Sequence, residues 1–198
     1  MIHHSFSDLS AIARAAMAEL PGVLEPTVLN AAASTFSEFC ENTLAFREEL
    51  TITLKDGVTT YSLVSPHRET MVVGVAEIVI DGRPILPGEW SSTALGRIEI
   101  DESLTSYTEA ELIVILMPRH RNGDAPTDIL DRWGYCLEKG IKARMMMIPE
   151  QDWSNPNLGS YYKREFETEM LGAAADVRNE FSVTRLGRAG VTRGPFEV

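Results

Sequence analysis

Apolar residues in this chain recur every three or four positions at both ends and every second position between, and no single element satisfies both spacings. Near the C-terminal end, Ile129, Leu130, Trp133, Cys136, Leu137, Ile141, Arg144, Met145 and Ile148 share one helical face. Asp124 and Thr127 flank Pro126 as start signals, and Pro149 stops the helix because it has no N–H to donate. A second helix is predicted after Asn155-Pro156, with an apolar stripe of Leu158, Tyr161, Tyr162, Phe166, Met170, Ala173, Ala174, Val177 and Phe181. Two helices of about twenty residues joined by a short loop pack antiparallel and leave one apolar face to be covered.

Cover is available at the other end of the chain. Residues 5–20 place Leu9, Ile12, Ala13, Ala16 and Leu20 on one helical face before Pro21-Gly22, and residues 26–46 do the same with Leu29, Ala32, Ala33, Phe36, Phe39, Cys40 and Leu44. From Arg47 the spacing is two. Leu50, Ile52 and Leu54 alternate with threonines, Lys55-Asp56-Gly57 supplies a turn, and Thr59, Tyr61 and Leu63 return as a hairpin. Residues 70–80 form a β-branched strand with Gly74 as a bulge, Asp81-Gly82 turns it, and Pro84 belongs on an edge. Residues 97–100 and 109–117 complete five or six strands.

The expected fold is therefore α+β: a four-helix bundle made of N-terminal and C-terminal helix pairs, with an inserted, mainly antiparallel β module. Residues 1–46 and 124–181 form the helical domain, 47–123 the β domain, and 182–198 an extended tail without sustained periodicity. The longest apolar run, residues 112–117, is far shorter than the roughly 20 residues of a membrane span, so no membrane association is expected. No basic segment followed by an apolar core opens the chain, so no signal peptide is expected.

Candidate chemistry is sparse. His3, His4, His67 and His120 have no helical ligand spacing, and the two cysteines, Cys40 and Cys136, fall on apolar helix faces as buried thiols, so no metal site is expected. Phosphate loops, nucleophile elbows and dinucleotide turns are all missing, and Glu48-Glu49 and Glu99, Asp101 and Glu102 lack a partnered acid or base. No catalytic residue and no cofactor is assigned. A formal charge of −11 opposes a body that grips nucleic acid, though it suits a surface past which DNA slides. Trp153, Asn155 and Pro156 are assigned to a structural loop that plugs the hairpin end, and Met146 and Met147 are candidates for contact with a partner. Arg185, Arg188, Arg193 and Phe196 are candidates for anchoring the tail to an acidic partner.

Several stretches carry a resemblance: Phe39-Cys40-Glu41-x-Thr43-x-x-Phe46-Arg47-Glu48, Tyr61-x-Leu63-x-x-Pro66, and residues 72–84 with Asp81-Gly82-x-Pro84. Ile129-Leu130-x-x-Trp133, Gly140-x-x-Ala143-Arg144-Met145 and Trp153-Ser154-Asn155-Pro156-Asn157-Leu158-x-x-Tyr161-Tyr162-x-x-x-Phe166 follow. Together they resemble the phage head-to-tail adaptor family, the tail tubular protein A (gatekeeper) proteins of short-tailed phages; residues 89–107 depart from the pattern. The resemblance implies a non-enzymatic virion protein, assembled in the host cytoplasm into a homo-oligomeric ring, usually dodecameric. Such a ring sits in the neck between the portal protein and the tail nozzle or tail tube protein, and DNA passes transiently through it. On this expectation Arg185, Arg188, Arg193 and Phe196 order in a groove of the portal. Two other readings fit the same pattern: another neck or tail-completion ring protein, and a small cytoplasmic ligand-binding or regulatory domain with a pocket in the β module.

Overall fold

A computed structural model describes residues 4–86, 88–119 and 123–189, with 181–189 described by backbone alone. The chain is α+β, with four α-helices and antiparallel sheets among the described residues. The helices are α1 (Ser10–Met17), α2 (Glu25–Thr43), α3 (Thr127–Met146) and α4 (Pro156–Ala189). The strands are β1 (Phe6–Asp8), β2 (Arg47–Thr53), β3 (Thr60–Ser62), β4 (Thr70–Ile80), β5 (Arg83–Pro84), β6 (Trp90–Ala94), β7 (Arg97–Ile100), β8 (Glu109–Pro118) and β9 (Asp124–Pro126).

The largest sheet has the order β2-β8-β4-β5, and a second has the order β3-β7-β6. β8 lies between β2 and β4 and pairs with both; its even-numbered residues, Ala110 to Leu116, are buried, while its odd-numbered residues lie on the more exposed face. The expected hairpin through Lys55-Asp56-Gly57 does not form. β2 pairs with β8 (Leu50 opposite Leu112) and β3 pairs with β7 (Tyr61 opposite Ile98), so the turn at Gly57 leads from one sheet to another. A seven-residue strand gains more from the long apolar β8 than from the three-residue β3. The β4–β5 hairpin closes through Asp81 and Gly82, both at positive φ (51° and 73°), and places Pro84 on the sheet edge. Where Val72 faces Leu116 and Gly74 faces Ile115, the register slips by one residue and bends β4 at the expected bulge.

Two three-residue strands tie the ends of the fold together. β1 and β9 pair with Phe6 opposite Pro126, so the stretches 6–8 and 124–126, expected as the first turns of helices, are extended. Thr127, the first residue of α3, donates its backbone N–H to the Ser5 carbonyl at 2.8 Å. The His4 ring bridges the Arg47 carbonyl (2.6 Å) and the Asp128 carboxylate (2.9 Å), joining the starts of β2 and α3.

One hydrophobic core runs through both parts: Phe36 and Phe39 of α2, Ile141 of α3 and Phe166 of α4 continue into Leu112 of β8, Ile78 of β4 and Ile98 of β7. α3 touches all three other helices, and α2 also meets α1, α4 and β8. The closest approach is at Gly140 of α3, where an added Cβ would lie 2.5 Å from the Thr35 methyl and 3.0 Å from the Phe166 ring. Gly172 of α4, by contrast, has nothing within 4 Å of that position. In an open helix, Gly→Ala gains about 1 kcal/mol of helix propensity. Gly172→Ala should therefore stabilise the chain by ~0.5–1 kcal/mol, whereas Gly140→Ala should destabilise it by ~1–3 kcal/mol through overpacking. Urea unfolding of both variants reads the two signs directly, and equal shifts would contradict this packing.

Candidate interaction surfaces

The loop between α3 and α4 is built by its own polar groups. Asn155 donates its backbone N–H to the Met146 carbonyl (3.0 Å), and its side-chain oxygen accepts from the Leu158 N–H (3.1 Å) as the cap of α4. Pro156 occupies the first helical position, where a missing N–H costs nothing. Trp153 packs against the core with its indole N–H buried and without a hydrogen-bond partner. These three residues hold the hairpin end together.

α3 and α4 then run antiparallel, and their ion pairs fix the register. Lys139 reaches Glu169 (2.6 Å) and Glu165 (3.2 Å), and Arg132, nearer the start of α3, reaches Asp176 (3.5 Å) and Glu180. Because Glu180 already lies opposite the first turns of α3, the rest of α4 has no length of α3 beside it. Residues 181–189 overhang by about 13 Å at ~1.5 Å per residue. The expectation of an extended chain from Ser182 is thus corrected for 182–189, which continue as helix. Arg185 and Arg188 fall within this overhang, three residues apart, while Arg193 and Phe196 lie outside the described residues.

Two lysines on α3, Lys139 and Lys142, are buried, and the apolar spacing that marks the helix gives no sign of them. Lys139 is sheathed by Glu165, Glu169 and the Tyr135 ring (4.6 Å), and the Glu169 hydrogen bond raises its pKa despite burial. Burial opposes the charge on Lys142, but hydrogen bonds to Glu138 and Glu19, both 2.6 Å, outweigh it and leave the pKa raised. Glu19, just after α1, also accepts from the Tyr162 hydroxyl at 2.6 Å; Lys142 and Tyr162 together hold its pKa below the ordinary carboxylate value. Burial drives both thiols strongly upward, Cys136 to about 12, so neither is poised as a nucleophile. Burial also lowers the Arg47 guanidinium to about 10, partly offset by Glu180.

No protein-family model and no curated protein matches this chain. Among the described residues, no helix is long and apolar enough to cross a membrane.

The contact candidates separate. Met146 is 2% exposed and belongs to the core, so it is not a contact residue, whereas Met147 is 47% exposed. Tyr135 and Leu171 stand clear of the α3–α4 pair at 67% and 71%, and Ile148, expected on the buried stripe, is exposed. The large sheet carries an open groove at each end. One, of about 390 Å³, lies beyond the start of β4 and the end of β8; Arg68, Arg119, His67, Ser65 and the exposed Val64 and Leu95 line it. The other, of about 620 Å³, lies at the opposite end and is lined by Asp81, Glu109, Glu111 and Tyr107.

The Glu19–Lys142 pair sets an acid dependence. The depressed pKa of Glu19 means its contribution is complete above its ordinary value of 4.5 and is lost as pH falls through the lower folded-state value. Lys142→Met should cost about 1–2 kcal/mol near neutral pH by unpairing Glu19 and Glu138, and should flatten the loss of stability below pH 4.5. Thermal unfolding of wild type and variant at a series of pH values measures both, and parallel curves would refute the role of the pair.

Proposed function

We propose that this chain is a structural virion protein, a head-to-tail adaptor whose copies form a ring between the portal and the tail nozzle, with DNA passing through the lumen. The observation that carries the reading is the overhang of α4, a helix of 34 residues against 20 in α3, which carries Arg185 and Arg188 past the end of its partner. A helical end that runs past α3 and carries basic residues suits insertion into an acidic groove of a portal, with Arg193 and Phe196 as the further anchors the resemblance implies.

Other features agree with it. The β strands from β2 to β8 lie between the two helical segments of the chain, the order that the resemblance expects. Tyr135 on α3 and Leu171 on α4 are exposed, the kind of side chain a neighbouring copy would bury if the four helices form a bundle that tiles around the ring. A ring closes when each copy offers two different surfaces to its neighbours. The negative balance of the chain would keep DNA phosphates from sticking as they pass.

The test is attachment. Removing residues 182–198 takes away the overhang while leaving the Arg132 contacts with Asp176 and Glu180 in place, so the fold should survive: the circular dichroism spectrum should lose only the helical signal of 182–189 and thermal unfolding should stay cooperative. Co-sedimentation with purified portal rings should retain the full chain and lose the truncated one, and Arg185→Glu with Arg188→Glu should weaken retention about tenfold or more. Equal retention of all three chains would sink the anchoring role.

A further inference from the structure

The two grooves at the ends of the large sheet differ in charge, and the positive one is the informative member. The chain has 29 acidic and 18 basic residues, so carboxylates are plentiful as partners for its basic side chains. Most basic side chains on the helices follow this expectation: Arg14, Arg132, Lys139, Lys142, Arg144 and Lys163 all have carboxylate partners. Lys55, Arg68, Arg97, Arg119 and Arg164 are exposed and have no ion pair among the described residues, and of these Arg68 and Arg119 line one groove together. The backbone holds them side by side, because the Arg119 N–H bonds the Glu69 carbonyl at 2.8 Å where β4 and β8 run out.

Asp81, Glu109 and Glu111 line the groove at the far end of the same strands, also without a basic partner among the described residues. Glu111 sits opposite Val79, two residues from the Asp81 turn, so all three carboxylates cluster around the β4–β5 hairpin. β4 is 11 residues long, which separates the two charged ends by about 35 Å at ~3.3 Å per residue. At ordinary ionic strength, charges that far apart do not feel each other, since the screening length is about 8–10 Å. Among the described residues, neither group has a partner of opposite charge, which leaves both open to one from outside.

We infer that the Arg68–Arg119 groove receives the Asp81–Glu109–Glu111 end of a second copy, a head-to-tail contact between unlike surfaces. Each surface carries what the other lacks. The basic groove is rimmed by Val64 and Leu95, exposed at 77% and 72%, and the acidic one by Tyr107, exposed at 42%, so apolar contact accompanies the charge pairing. A contact of this type repeats: every copy presents a free acidic end and a free basic end, and the series closes into a ring or continues as a fibre. It supplies the neighbour contact of the ring reading above and rests on that reading only for closure.

Charge exchange tests it. Arg68→Glu with Arg119→Glu makes a chain acidic at both ends, and Glu109→Lys with Glu111→Lys makes one basic at both ends. All four positions are exposed, and circular dichroism checks that each variant folds. In sedimentation velocity, wild type should associate beyond two copies, with affinity falling at least about tenfold between low and high salt. Each variant alone should remain monomeric, and an equimolar mixture should associate again, with the two chains alternating. Monomeric wild type, association that stops at a dimer, or a mixture that stays monomeric would each overturn the head-to-tail contact. Recovery of mixed assemblies as open fibres would support it while counting against closure of the ring. If the basic groove instead serves a nucleic acid or a foreign acidic peptide, the mixture gains nothing over the separate variants, and the inference fails.

Discussion

A single turn of α3, residues 139–142, is where the other helical segments meet. Gly140 lets the α2 methyl of Thr35 and the α4 ring of Phe166 approach to distances that no side chain would allow. On either side of it, Lys139 is held by Glu165 and Glu169 of α4, and Lys142 by Glu19 at the end of the α1 segment. Burying two ammonium groups is costly unless each is paired and hydrogen-bonded. In this register of α4 against α3, Lys139 meets both Glu165 and Glu169, and the position of the chain after α1 brings Glu19 to Lys142. Apolar burial drives the helices into contact, and this turn decides which contact they make.

The sheets take their position from the same helices. α2 lies against β8, and the small β1–β9 pair together with His4 ties the N-terminal segment to the first turn of α3. Such links leave the helical and β parts sharing one core. A rod-like α3–α4 pair at one side and a sheet with oppositely charged ends at the other give the molecule direction. That polarity is what a ring of identical copies requires, since a ring contact joins unlike surfaces.

Elements with long periodic patterns were legible in the sequence. α2, α3, β4 and β8 follow from spacing, the β4–β5 turn from Asp81-Gly82, and the start of α4 from Asn155-Pro156. Partner choice among strands was not, because pairing between β2 and β8 or β3 and β7 spans dozens of residues and depends on which partner buries most surface. β1 and β9 are three residues each, too short to carry any period. The length of α4 was underread because the apolar stripe fades after Phe181, yet no proline or glycine occurs between 173 and 186 to stop the backbone hydrogen bonds. The structural loop from Trp153 to Pro156 was visible in sequence as the cap of α4. The Arg68–Arg119 groove was not, since its two arginines are brought together only by the antiparallel pairing of β4 with β8.

The most direct measurement is an electron-microscopic reconstruction of the purified chain on purified portal. The account predicts a closed ring seated on the portal, with α4 ends reaching into the portal and the charged ends of neighbouring sheets in contact. A chain found as isolated single copies beside undecorated portals would contradict it.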